Sequence, residues 1–195
     1  MLFWDEKVKN LFILFLILWL SISLFSSDLT KKYNLKTKVD EKHGITWYIH
    51  KNNMQSRSRI YLYIGKINKD NKYFLKLRIN YYAPINLFIK EYVFKIDDDE
   101  YTLTPRKTIQ TYYIRSTAIG TDDFEEENSG ETICETYDVS INSEELVLME
   151  KIANSKKTSL KYQGVKGYKR VKIHKSSIEA IRDVLDAFKE MVKSQ

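Results

Sequence analysis

From Ile45 onward, apolar and polar positions alternate. ITWYIH (45–50) sets Ile45, Trp47 and Ile49 against Thr46, Tyr48 and His50. RIYLYIG (59–65) puts Ile60, Leu62 and Ile64 on one side and Tyr61 and Tyr63 on the other. YFLKLRINY (73–81) points Tyr73, Leu75, Leu77, Ile79 and Tyr81 inward and Lys76, Arg78 and Asn80 outward. A period of two is that of a strand. The polar KINKDNK (66–72) between the last two runs predicts a hairpin. NLFIKEYVFKI (86–96) is a further strand whose phase slips at Lys90-Glu91, which predicts a bulge. DDDE (97–100) turns that strand into YTLTP (101–105). KTIQTYYIRS (107–116) and TICETYDVSI (132–141) are two more strand candidates, separated by the acidic loop GTDDFEEENSGE (120–131).

The last third adds a period of 3.6. Asn142 with Glu145 is a capping pair, and Leu146, Met149, Ile152 and Ala153 follow at helical spacing, so 143–154 reads as a short amphipathic helix. TSLKYQG (158–164) and GYKRVKIH (167–174) form a hairpin around Gly164 and Gly167. Ser176 with Glu179 reads as a second capping box. Ile178, Ile181, Val184, Leu185, Phe188, Met191 and Val192 then make one stripe along 177–192. The expectation is an α+β fold over 45–195. Seven to nine antiparallel strands form a sandwich or strongly bent sheet, with the C-terminal amphipathic helix packed on it.

The start of the chain follows another rule. Residues 11–25 read LFILFLILWLSISLF without a charge. A buried core helix, apolar on every face, would need a large protein to cover it, and two other readings of 1–27 fit better. In one it is a cleaved export signal, with Lys7 and Lys9 before the apolar core and Ser21 and Ser23 placed for cleavage. In the other it is a retained single-pass anchor, short of the roughly 20 apolar residues a span needs. Lys31, Lys32, Lys36 and Lys38 follow the run and disfavour export by the positive-inside rule. Residues 28–44 read as a polar lead-in, a tether or opening loop. The address expected is exported or membrane-anchored, with membrane contact through 11–25 if that segment is kept.

Composition narrows the rest. The chain has 195 residues, and about 170 beyond the apolar run suffice for one core. Charged residues at 30% and aromatics at 13% exclude a disordered chain. Fourteen tyrosines lean toward sheet. One cysteine, Cys134, excludes an internal disulfide and reads as a small strand residue. The net charge of +6 is unchanged by removing 1–27, because Asp5 and Glu6 offset Lys7 and Lys9.

Candidate chemistry is sparse. The acids at 97–100 lack the spacing and glycine of a calcium loop, and the longer acidic loop at 120–131 is flexible enough only for weak cation binding. His43, His50 and His174 lack zinc spacing. His50 and His174 each end a strand and so are the pair able to converge. No nucleophile elbow, phosphate loop or dinucleotide motif occurs. No catalytic residue, metal or cofactor is implied. Lysines and Arg170 crowd 156–175, with Tyr162 and Tyr168 among them. An exported address argues against nucleic acid and for an anionic envelope polymer or a protein partner. Binding is therefore expected at Tyr61, Tyr63, Lys166, Lys169 and Arg170, where rings stack and cations neutralise charge. The leading expectation is a non-catalytic exported or envelope-associated binding module. The alternative is a hydrolase of an envelope polymer working through dispersed acids.

Two stretches, DEKHGITWYIHKNN…SRSRIYLYIGK…KYFLKLRINYY (40–82) and YDVSINSEELVLMEKIANSKKTSLKYQG…EAIRDVLDAFKEM, resemble a group of bacterial exported proteins of uncharacterised activity. That group pairs a TWY strand and a YLYIG strand with an IANSKK…YQG segment and a closing helix. Cys134-Glu135-Thr136 departs from it where an aromatic is usual, and 165–172 is more basic. The resemblance implies a β-rich domain behind an export segment, and it carries over no activity and no site residue.

Overall fold

The computed structural model describes residues 29–54, 60–115 and 131–195. Its strands are β1 (Leu35–Asp40), β2 (Ile45–His50), β3 (Ile60–Ile67), β4 (Lys72–Ala83), β5 (Ile89–Ile96), β6 (Asp99–Leu103), β7 (Gln110–Arg115), β8 (Glu131–Ser140), β9 (Thr158–Gly164) and β10 (Gly167–Ile173). They form a six-stranded sheet in the order β1-β2-β3-β4-β8-β7 and a four-stranded sheet in the order β10-β9-β5-β6. All pairings are antiparallel. The helices are α1 (Lys51–Met54), α2 (Ser143–Asn154) and α3 (Lys175–Lys193). This is the expected α+β sandwich with a closing helix.

Alternation decides the layers. On β3 and β4, Leu62, Ile64, Leu75, Leu77 and Ile79 are buried on the inner face. Part of that face is covered by α3, which packs on β2, β3 and β4. The four-stranded sheet covers another part, and rings mark the seam. Tyr81 of β4 meets Tyr162 of β9 at 5.2 Å between centroids, and Tyr92 of β5 meets Tyr137 of β8 at 5.8 Å. The phase slip on β5 is a real irregularity, with the β5–β9 register shifting between Ile89 and Glu91. Just before it, the buried Glu135 carboxylate accepts from the backbone N–H groups of Phe88 (2.8 Å) and Ile89 (3.3 Å), satisfying donors at the start of β5.

The cap at Asn142 is as predicted. Asn142 accepts from the Glu145 backbone N–H at 2.8 Å, and the Glu145 carboxylate accepts from the Asn142 backbone N–H at 2.9 Å. Buried Glu145 also accepts from the Tyr137 hydroxyl (2.8 Å) and the Arg106 guanidinium (3.0 Å). One carboxylate thus ties α2 to β8 and to the segment after β6.

Three expectations change. Residues 28–44 are not merely a lead-in. Leu29, Tyr33 and Leu35 are buried, and β1 pairs with β2 along its whole length. β1 is an edge strand with four consecutive exposed residues, Lys36 to Val39, so it shows no alternation to read. The α3 cap is His174, not Ser176. His174 has extended backbone and its Nδ1 accepts from Ser176 N at 3.3 Å, because β10 runs straight into the helix. Phe188 and Val192 are less covered than the stripe implies. Phe188 is half-buried and Val192 is exposed, while Ala180 and Ala187 let the helix lie close. Residues 1–28 and the acidic segment up to Gly130 lie outside the described residues. Among the described residues no helix is long and apolar enough to cross a membrane.

Burial therefore ranks the helix contacts differently from side-chain size. Ile181 is fully buried. Ile181→Ala should cost about 3 kcal/mol, and Phe188→Ala about 1–2 kcal/mol despite the larger side chain. Urea denaturation of both variants checks this, and Phe188→Ala being the costlier would show that α3 docks in a different rotation.

Candidate functional site

The outer face of the six-stranded sheet gathers the chain's most unusual surface. Register stacks it in rows across the strands. Lys38, Trp47, Gly65 and Phe74 form one row, and Lys36, Ile49, Tyr63 and Lys76 the next. Tyr61, Arg78 and Asp138 form the third. β2 is turned opposite to its hydrophobic bias. Tyr48 and His50 point inward, and His50 reaches Asp183 of α3 at 3.2 Å. Trp47 and Ile49 are left on the outer face. Gly65 makes room there. A Cβ on it would sit 2.2 Å from the Phe74 ring, so only glycine lets Phe74 and Trp47 meet edge to face at 5.6 Å.

The rings continue as a chain. Trp47 lies 5.4 Å from Tyr63, and Tyr63 lies 6.0 Å from Tyr61. Cations lie over them. Lys76 Nζ is 5.5 Å from the Tyr63 ring and 5.9 Å from that of Trp47. The Arg78 guanidinium is 5.5 Å from Tyr63 and 5.9 Å from Tyr61. Asp138 locks the set. It accepts from Lys76 Nζ at 2.7 Å, from the Tyr63 hydroxyl at 2.7 Å and from Arg78 Nε at 2.7 Å, and Arg78 Nη2 gives it a second bond. Arg78 Nη1 donates to the Tyr61 hydroxyl at 3.1 Å. Above this set opens a cleft of about 730 Å³, walled by residues 38–42 together with Trp47, Ile49, Tyr61, Tyr63, Lys76, Arg78 and Asp138.

Burial by itself would raise the Asp138 carboxyl, but the hydrogen bonds from Lys76, Tyr63 and Arg78 outweigh it and hold the group below the ordinary carboxylate range. Burial, followed by the bond to Asp138, pushes the Tyr63 phenol far up, so it stays a donor. Two cations share one carboxylate, which leaves one positive charge facing the cleft.

Of the expected binding residues, Tyr61 and Tyr63 belong to this site. Tyr61 is half-buried. Tyr63 keeps 6% exposure, with Trp47, Tyr61, Lys76 and Arg78 around its ring. Lys166, Lys169 and Arg170 do not join it. They sit on the β9–β10 hairpin of the other sheet, where Lys166 Nζ lies 4.9 Å over the Phe88 ring. Trp47, Lys76, Arg78 and Asp138 are the site residues that sequence reasoning missed. Outward-facing Lys76 and Arg78 on a strand beside two outward tyrosines were the available signal.

Other candidates are structural. His43 bonds Asp40 at 2.9 Å, and His50 and His174 have the separate partners given above. The Asp97 carboxylate accepts from the backbone N–H groups of Lys156 (3.1 Å) and Lys157 (3.0 Å), pinning a turn. Cys134 is buried on β8. Among the described residues no three His, Cys, Asp or Glu side chains are placed to hold a metal. In comparisons with known proteins, no family model, no curated protein and no solved structure matches the chain.

A lowered Asp138 carboxyl stabilises the fold above the unfolded carboxyl value near pH 4, and that stability drains as pH falls through the lower folded value. Asp138→Asn should therefore be less stable than the parent at pH 5–7, with the gap narrowing as pH falls below the unfolded carboxyl value near 4. Denaturation at pH 7, 5 and 3 measures it, and a gap that stays constant with pH would contradict the ionised network.

Proposed function

We propose that this protein is a non-catalytic binding module of the cell envelope, exported or held at the membrane by its N-terminal apolar run, and that it takes an acidic sugar against Trp47 and Tyr61, which the buried Tyr63 braces. One observation carries the reading. Aromatic rings line the cleft, and two cations are fixed over them by one carboxylate. Sugar rings stack on aromatic faces through their apolar C–H surfaces. A carboxylate or phosphate on the sugar matches the uncompensated positive charge. Pre-placed cations lose little side-chain freedom on binding, which favours affinity. The 11–25 run supports the address.

The hydrolase alternative needs a protonated acid near the scissile bond. Asp138 is held ionised, and both its oxygens are taken by donors. This argues against Asp138 as that acid.

The test is a calorimetric titration of the full chain, in mild detergent, with a uronic-acid oligosaccharide and with its neutral counterpart. The acidic oligomer should bind more tightly. Trp47→Ala should weaken it about tenfold, the effect of losing an aromatic contact of about 1–1.5 kcal/mol. Equal affinity in parent and Trp47→Ala, or preference for the neutral sugar, would overturn the reading. Shortening of the oligomer during titration would overturn its non-catalytic part.

A further inference from the structure

The outer face of the four-stranded sheet carries a second concentration of charge, built in the opposite way. Register places Lys161 of β9 directly across from Arg170 of β10, and Ser159 across from Lys172. On the other side of β9, Lys95 of β5 stands across from Ser159. Alternation puts Lys95, Lys161, Arg170 and Lys172 on one face, with Tyr168 at its end. Tyr168 is 67% exposed, and Lys161 Nζ lies 5.9 Å over its ring. Among the described residues Lys161, Arg170 and Lys172 have no carboxylate across from them on the neighbouring strand, whereas Lys95 stands across from Glu100 of β6. Like charges directly opposite on neighbouring strands destabilise a sheet. On the six-stranded sheet the same cross-strand relation joins Arg78 to Asp138. Here it joins Arg170 to Lys161.

We propose that this stripe is a separate binding surface for a linear, phosphate-rich polyanion. Spacings follow from sheet geometry. Neighbours across strands are about 5 Å apart and alternate residues along a strand about 7 Å. Lys161, Arg170 and Lys172 therefore present a charge about every 5–7 Å to a chain laid along β9 and β10. Of the acids of this face, Glu100 of β6 stands directly across from Lys95 and Glu91 of β5 lies in the row of Gln163, so charges of both signs meet on β5 and β6 and the uncompensated cations are those of the β9–β10 hairpin. The acids confine the positive potential to a band. A planar anionic membrane would meet those acids as well, whereas a single polymer chain follows the band alone. Lys169 alternates to the other face of β10, in the row of Tyr162, and supplies an internal control.

The experiment uses the full chain in mild detergent with inorganic polyphosphate as probe, at about 50 and 200 mM salt. Three contacts predict a loss of about 20-fold in affinity over that range, taking about 0.7 counterion released per contact for a single-stranded polyanion. The triple variant Lys161→Ala, Arg170→Ala, Lys172→Ala should bind weakly and show almost no further loss over the same range. It should melt no lower than the parent, since it removes a like-charge pair. A control removing equal charge, Lys156→Ala, Lys169→Ala, Lys193→Ala, should bind like the parent. Trp47→Ala should also bind like the parent, so failure of the sugar reading and of this one are told apart. Four results would overturn the proposal. They are no binding at 50 mM salt, equal loss in the control triple, loss in Trp47→Ala, or capture by vesicles of anionic lipid in preference to polyphosphate.

Discussion

The register between β4 and β8 is the constraint on which most of this molecule depends. It sets Leu77 opposite Val139 and Ile79 opposite Tyr137 on the inner face, and Arg78 opposite Asp138 on the outer. A slip of one residue would send every core side chain of β4 outward and draw Lys76 and Arg78 into the apolar interior. The dependence spreads further. Tyr137, placed by that register, stacks on Tyr92 of the second sheet and donates to Glu145. Glu145 caps α2 and holds Arg106. Core, helix cap and outer site therefore share one alignment.

Most of the fold was legible because its signals are local. Alternation in 59–65 and 73–81 carries the central hairpin, and the phase slip at Lys90-Glu91 marks the register shift of β5 against β9. Helix α2 matches its capping pair and its bounds, with Met149, Ile152 and Ala153 buried as expected and Leu148 rather than Leu146 completing the buried face. β1 was hidden because an edge strand has no buried face to reveal. The α3 cap moved to His174 because the length of β10, a tertiary matter, decides where the helix starts.

The site was half legible, and the reason is sequence separation. Tyr61 and Tyr63 could be placed on an outer face from β3 alone. Asp138 lies 60 residues from Arg78, and only the paired sheet brings them together. Trp47 was obscured by its own hydrophobicity. Alternation alone would turn the apolar trio of β2 inward, but Tyr48 and His50 take the inner positions, where His50 finds Asp183. A strand that breaks its own binary pattern is expected where a surface does something other than fold. The two outer faces also divide their electrostatics. One neutralises cations over rings, and the other leaves cations facing each other across strands.

The claim that Asp138 builds the aromatic platform is tested most directly by a double-mutant cycle on Arg78→Ala and Asp138→Ala, read by chemical denaturation at pH 7. A charge-assisted, partly buried pair joined by two hydrogen bonds predicts a coupling of about 1.5–3 kcal/mol. Effects that add within about 0.3 kcal/mol would show that the two side chains do not meet, and the platform would not exist as described.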